Sequence, residues 1–531
     1  MQGWTGKLIE INLKTKTSRI TSIKKRILEN YIGGKGLGAY LLYRRLPPKV
    51  NPLAPENILI FSTGPLSGLV PTAGRFVTVT KSPLTGLFLD SYCGGFLAAY
   101  LKRAGFDAIL FKGKSEKPLY LWVTNEKVEF RDAKHLWGLD TYTSIEEAKK
   151  ETDEKASVAT IGPAGENLVH FACITSEKRD YSGRGGSGAV MGSKNLKAIS
   201  VLGNNEIEVS RPQELRELCG ELSREALGKT ERFIKYGTTT SVTFASRIGM
   251  LPTRNFQTTS FEGADKLSGE ILKNYRERDE GCFRCPIRCI KMNRVTSNKN
   301  GNELTSIQYE GMAMLGANCG IADIEAMMKA YLLANKLGLD VISAGDAVAF
   351  AMESFERRII DEEDLGYSLK FGDAKAQRRL LQDIAYRRGF GNLLAQGVKH
   401  TSEKLGAQEF AIHVKGMDLP AWEPRGRLGL GLSYATAEIG ASHLRGWPST
   451  GEMPVRSALD TVESMIKSRD KKIVEDSAVV CTFFPFPLKS LSQLITFATG
   501  RKLTTYKLRK AAWRIDTTTR MFNMREGAIR K

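Results

Sequence analysis

Three thiols in this 531-residue chain stand close enough in sequence to act together: Cys282, Cys285 and Cys289, within "GCFRCPIRCIK". Iron–sulfur clusters take thiolate ligands from a loop tight enough to wrap a small cube, and C-x2-C-x3-C spacing, with Gly281 and Pro286 to turn the backbone, supplies one. A structural zinc ordinarily uses two separated C-x2-C knuckles, and the sequence holds no second one. The order is also the reverse of the C-x3-C-x2-C run of radical enzymes. An iron–sulfur cluster therefore leads over zinc and over unliganded thiols. A fourth ligand must come from afar. Cys481, in "EDSAVVCTFF", is the first candidate. Cys93, Cys173, Cys219 and Cys319 lie in glycine-rich or apolar contexts, where a lone cysteine is more often a small buried hydrophobe. Spacing alone does not decide among them.

The surroundings of these thiols are those of a large redox or metal protein. Eight cysteines in a long chain without a secretory leader pattern argue against a disulfide framework. Hydrophobic residues are 42% and charged residues 26%, enough for a large core, and the length calls for more than one domain. The net charge of +20 raises nucleic acid as a partner. No reader module is present and aromatics do not interleave with the basic runs, so no nucleic acid is expected. A basic surface suits phosphorylated cofactors and an acidic electron carrier. No apolar run reaches membrane-spanning length, so the expectation is a cytoplasmic protein without membrane insertion.

The elements that must position these residues change character along the chain. "KLIEINL", "RFVTVTK" and "DAILFKGKSEKPLYLWVTNEKVEFRD" alternate like strands separated by turns. Glycine pairs in "IGGKG", "CGGF" and "GRGGSG" mark places where backbone approaches something closely. Near Ser210 the pattern turns helical, and Ser210 with Gln213 reads as a capping box. "DIEAMMKAYLLANKLGLD" is the clearest helix: Asp323 caps it, Met327, Tyr331, Ala334 and Leu337 share one face, and Gly338 ends it. The expected class is α+β. Residues 1–208 form a β-rich domain, 209–415 a helical domain with the cysteine loop, and 416–531 a helical C-terminal domain with Cys481.

Several ordered stretches together resemble the tungsten-containing aldehyde:ferredoxin oxidoreductases. They are "YIGGKGLGAYLLY", "GRFVTVTKSPLTG", "CGGFLAAYLKRAGFDAIL", "TIGPAGENLVHFA", "GRGGSGAVMGSKNLKAI", the cysteine run, "YEGMAMLGANCGI", "NKLGLDVIS", "LPAWEPRG" and "EDSAVVCTFF". The resemblance implies tungsten, or molybdenum, bound by two molybdopterin-type dithiolenes. One [4Fe–4S] cluster lies close by, and the pterins sit on the β domain. By the same resemblance Cys282, Cys285, Cys289 and Cys481 are the cluster ligands. Asp476 in "DSAVVC" and Asn335 with Asp340 in "NKLGLD" hold the two pterins. Arg75 lies between cluster and pterin, and Arg179 meets pterin phosphate. Backbone carbonyls of Tyr92 and Asp180 ligate a magnesium bridging the phosphates. Gly94, Gly183, Arg445 and Thr482 fall in the same motifs and complete the cofactor-binding set. Glu310 in "YEGM" and His443 in "ASHLRG" match the residues nearest the metal.

Departures from the family pattern are specific. The glycine and leucine of one pterin loop are Val479 and Val480, and the first acid of the other is Asn335. A helix that carries E-x-x-H for a dimer-bridging iron has Lys329 and Leu332 instead, so that iron is not expected. Cys319 in "GANCGI" matches the branch in which a cysteine ligates tungsten, the class II benzoyl-CoA reductases. The expected activity is oxidation of a small aldehyde to its carboxylate, with ferredoxin or another low-potential carrier as acceptor. The alternatives are reduction of an acyl-CoA with Cys319 on the metal, and a non-catalytic iron–sulfur electron-transfer subunit. A homodimer and iron–sulfur partner subunits both remain open.

Overall fold

The computed structural model describes residues 1–125, 127–297, 301–447 and 457–529. The first six strands are β1 (Lys7–Asn12), β2 (Thr17–Ser22), β3 (Leu59–Ser62), β4 (Phe76–Lys81), β5 (Phe88–Cys93) and β6 (Ala108–Lys112). They form one sheet in the order β2-β1-β6-β3-β4-β5. The next six are β7 (Leu119–Thr124), β8 (Lys127–Asp132), β9 (Ser157–Thr160), β10 (Ile174–Ser176), β11 (Asp180–Ser182) and β12 (Leu196–Val201). Their order is β11-β10-β9-β12-β7-β8. Each sheet has one parallel pair, β1 with β6 and β12 with β7. The sheets face each other across one core, in which Ile9, Ile11, Phe61 and Phe111 meet Leu121, Val123, Ala159 and Ile199. β4 is buried along its whole length, because its second face carries helix Gly34–Arg45. Apolar residues of helices Ala458–Ala478, Leu488–Thr499 and Thr505–Arg525 join that outer core.

From Pro212 onward helices dominate, so the α+β class holds. The clearest sequence-read helix is present as Ile324–Leu337. Asp323 accepts from the amides of Glu325 and Ala326, and Gly338 ends it in the left-handed conformation at φ 77°. The Ser210 capping box is a correction. The helix begins at Pro212 with Arg211 before it and no side-chain cap, because proline at the first helical position sets the start without one. The helical region also contains an antiparallel three-stranded sheet: β13 (Arg276–Glu280), β14 (Ile290–Ser297) and β15 (Gly301–Ser306). A last short pair is β16 (His413–Val414) and β17 (Met417–Asp418). Among the described residues no helix is long and apolar enough to cross a membrane.

Candidate active site

The cysteine run is the tip of the β13–β14 hairpin, closed by the Glu280–Ile290 pair. Arg284 and Arg288 adopt positive φ, 52° and 46°, each one residue before a cysteine. The Phe283 amide donates to Gly95 O at 3.0 Å, which pins the loop onto the β domain. The turn after β5 accepts it only because position 94 is glycine. A Cβ there would press on the Asp180 carboxylate and come within 2.9 Å of Cys282 Sγ. Burial pushes the Cys289 thiol up to about 12, and neighbouring Cys481 and Cys285 push the same way. Burial raises Cys282 well above its ordinary value too, with Asp180 and Cys289 adding to it. The four thiols thus lie within electrostatic reach of one another, and each is free. Among the described residues no three His, Cys, Asp or Glu side chains converge on a single metal ion. Thr482, just beyond Cys481, is exposed.

Arg75 stands behind the thiols at the start of β4. Burial works to lower its pKa, but Cys481, Cys282 and Asp476 outweigh it and hold the guanidinium firmly charged. Its charge is thus placed between the cysteines and the end of helix Ala458–Ala478. Arg179 and Asp180 lie beside it at β11. Arg179 Nη2 donates to Gly281 O at 3.3 Å and its guanidinium pairs with Glu280. Burial raises Asp180 to about 6 against the pull of Arg179. β11, which starts at Asp180, packs on β5, which carries Tyr92.

Two helix ends carry the two pterin-loop motifs. Helix Ala458–Ala478 ends at Val479, a β-branched residue at φ 60° where a glycine would be unstrained. That conformation costs about 1–2 kcal/mol, and the side chain is retained in the core at 1% exposure. The carbonyls of Asp476 and Ser477 lie against Gly33 and Gly34, which leave no room for a Cβ. The "IGGKG" pair therefore seats this helix end. Asp476 pairs with Lys472 and lies 3.4 Å from Arg445 Nη1. Arg445 Nη2 reaches Asp90 Oδ1 at 2.7 Å, its Nε lies 3.5 Å from Glu438, and Lys35 bonds Glu438 as well. The other motif joins helix Ile324–Leu337 to helix Val341–Glu356. Asp340 caps the second helix through the amides of Ile342 and Ser343. Asn335 Nδ2 donates to Thr305 Oγ1 at 3.2 Å, so this departure is satisfied inside the protein. Gly183 abuts the Asp340 carboxylate.

Glu310 and His443 come together from distant segments. Glu310 lies in the first turn of helix Tyr309–Leu315, and its Oε2 accepts from Ala421 N at 2.8 Å. His443 Nε2 stands 3.4 Å from Glu310 Oε1, not in hydrogen-bond geometry. Burial raises the Glu310 carboxyl to about 7, partly offset by the Ala421 amide and Arg184. Burial, with Arg184 and Lys472, lowers His443 to about 3. Near neutral pH the pair is thus a half-titrated acid beside a neutral imidazole. Glu310 Oε1, His443 Nδ1 and Arg184 Nη1 are buried without hydrogen-bond partners. Buried polar atoms ordinarily have partners, so these three unpartnered atoms suit a polar group.

Arg184 was not singled out from the sequence, although it lies in "GRGGSG". Its Nε is 3.2 Å from Asp340 Oδ2 and its Nη2 donates to Asp418 O at 2.5 Å. It ties the pterin-loop acid to the Glu310 side of the site. Cys319, by contrast, is fully buried, and its Sγ–H donates to Met314 O at 3.3 Å and Gly345 O at 3.5 Å.

Known proteins resemble this chain along almost its whole length. The family model "Aldehyde ferredoxin oxidoreductase, N-terminal domain" matches residues 8–203, and "Aldehyde ferredoxin oxidoreductase, domains 2 & 3" matches 217–531. The tungsten-containing aldehyde ferredoxin oxidoreductase of Pyrococcus furiosus is 38% identical, over 99% of this chain and 90% of that protein. The WOR-like subunit of aliphatic sulfonate oxidoreductase from the same organism is 31% identical, over 99% and 86%. Among solved structures, the BamBC active-site complex of benzoyl coenzyme A reductase with 1,5-dienoyl-CoA has a TM-score of 0.85 at 26% identity, covering 99% of this chain and 90% of that one. With both family models spanning it almost end to end, the chain belongs to the aldehyde ferredoxin oxidoreductase family.

Proposed function

We propose that the protein oxidises an aldehyde to its carboxylate, with water as oxygen source, and passes the electrons to ferredoxin. The single observation that carries this reading is the Glu310–His443 pair, set beside Arg184, which pairs with Asp340, and within reach of the Lys472 charge. Tungsten in two molybdopterin dithiolenes would supply the two-electron acceptor chemistry. Asp340 and Asp476 would hold the two pterins, with Asn335 on the first. Arg179 would meet their phosphates, and the Tyr92 and Asp180 carbonyls would hold the bridging magnesium. Glu310, as carboxylate, would take a proton from the attacking water, and neutral His443 would donate to the carbonyl oxygen as charge gathers there. The Ala421 amide holds Glu310 Oε2 and leaves Oε1 toward His443.

The four cysteines would hold one [4Fe–4S] cluster, with Arg75 the cation between it and the pterin. Replacing Cys481 by serine is expected to lower bound iron well below about four atoms per chain. Cys219→Ser, in a half-buried thiol outside the loop, is expected to leave iron content intact. Iron analysis of the two anaerobic preparations checks this, and equal iron in both would remove Cys481 from the ligand set.

Cys319 is a packed thiol in this reading. Its Sγ lies within hydrogen-bond reach of two backbone carbonyls, Met314 O and Gly345 O, inside the helical core. That supports aldehydes over acyl-CoA as substrates. For the electron exit, Arg284 and Arg288 are exposed on the tip of the cysteine hairpin and suit an acidic carrier. Arg284→Glu/Arg288→Glu is expected to lower kcat/KM for ferredoxin about tenfold, with a weaker salt dependence, by removing electrostatic steering. Equal loss with a cationic viologen and with ferredoxin would contradict this surface.

A further inference from the structure

The walls beside Glu310 are aromatic. Tyr309, next to it on the same helix, lies with its ring centroid 4.5 Å from that of Trp422. Trp422 in turn meets Trp447 edge-to-face at 5.0 Å. Tyr309 OH donates to Ala421 O at 2.5 Å, and Tyr434 OH donates to Trp422 O at 2.9 Å. The Ala421 amide, next to Trp422 in the chain, is the one that holds Glu310. The rings are therefore built into the mount of the acid and are not a separate patch of core. Trp422 and Trp447 are half-buried and pack against the helical core. Trp447 is anchored from behind, where Ser468 Oγ donates to its carbonyl at 2.8 Å.

Each cation around the pair has a carboxylate within 3.5 Å, so its charge is balanced even though Arg184 Nη1 keeps an unpartnered N–H. Arg184 is matched by Asp340, Arg445 by Asp90 and Glu438, and Lys472 by Asp476. A phosphorylated aldehyde would have to displace one of these carboxylates, whereas an uncharged ring finds matching apolar faces. Flat rings gain from offset or edge-on contacts with tryptophan beyond what area burial alone gives.

We propose that Trp447, seated on Trp422, is a specificity-determining residue that selects uncharged aldehydes bearing an aromatic group. This rests on the aldehyde-oxidising reading of the site and names its substrate class. The test uses anaerobic, tungsten-loaded enzyme with a viologen acceptor, comparing kcat/KM for benzaldehyde, acetaldehyde and glyceraldehyde 3-phosphate. Wild type is expected to prefer benzaldehyde. Trp447→Ala is expected to lower the benzaldehyde-to-acetaldehyde ratio about tenfold, and Trp447→Phe to keep it within about twofold. The ratio is internal to each preparation, so partial loss of folded enzyme cancels. An unchanged ratio in Trp447→Ala, or a wild type that prefers the phosphorylated aldehyde, overturns the proposal. Calorimetric binding of benzamide against acetamide reads the same wall without turnover. Tighter benzamide binding that weakens about tenfold in Trp447→Ala supports it, and equal binding of the two amides overturns it. Failure to oxidise any of the aldehydes counts against the aldehyde reading itself, and the amides still decide the aromatic wall.

Discussion

Replacing Glu310 by glutamine is expected to lower kcat/KM for aldehyde oxidation by about 10²- to 10⁴-fold, the range for a positioned general base. The amide keeps the shape, and its oxygen can still accept from Ala421 N, so the Tyr309–Trp422 mount should stand. What is lost is a proton acceptor near pH 7. The pH dependence separates this from misfolding. Burial pushes Glu310 up to about 7 and His443 down to about 3, so of the two only Glu310 changes charge near neutral pH. Wild-type kcat/KM should fall as pH drops below about 7, and the glutamine variant should lose that limb. Stability has the opposite sign. A carboxyl whose folded value is raised contributes stability below its unfolded value, and this is lost as pH rises through the folded one. Above pH 7 the glutamine variant should therefore be no less stable than wild type. Full activity of Glu310→Gln, or a retained acid limb, would take the base role away from this residue.

The second large effect concerns folding. Arg445 lies buried among Asp90, Glu438 and Asp476, and Arg445→Met would strand those acids without their shared cation. Removing one partner of a buried ion network costs about 3–5 kcal/mol, so thermal unfolding should begin several degrees lower, with weaker cofactor retention. The same network sets an acid limit. Burial alone would raise Glu438, but Lys35, Arg445 and Arg469 outweigh it and hold the carboxyl well below its ordinary range. A depressed carboxylate contributes stability above its unfolded value, near 4.5, that is lost as pH falls toward the folded one. The wild type should therefore lose this stabilisation only below about pH 4.5, and Arg445→Met should lose less of it there. Unchanged unfolding of Arg445→Met would mean that the network is solvated.

What could be read from sequence was local. Asp323 and Gly338 mark the ends of their helix because cap chemistry acts over three or four residues. The strands 108–112, 119–124 and 127–132 follow from alternation and turns. What could not be read was non-local or masked by charge. "RERDE" is a strand, β13, only because it pairs with β14, and nothing in its polar run announces it. The parallel pairing of β1 with β6 spans about a hundred residues with no local signature. Ser210 misled because Pro212 governs the helix start. Of the site, the motif residues were legible through resemblance, whereas Arg184 becomes visible only when Asp340, Asp418 and Glu310 surround it. Trp447 likewise gains meaning only beside Trp422.

The most direct test of the central claim is elemental analysis of the anaerobically purified protein, for tungsten, molybdenum, iron and zinc per chain. A pterin-bound metal with one four-thiolate cluster predicts about one tungsten, or molybdenum in its place, and about four iron. Iron without either metal, in cells supplied with both, would leave the Glu310–His443 pair without its electron acceptor. Zinc alone would contradict the cluster at Cys282, Cys285, Cys289 and Cys481 and, with it, the electron path.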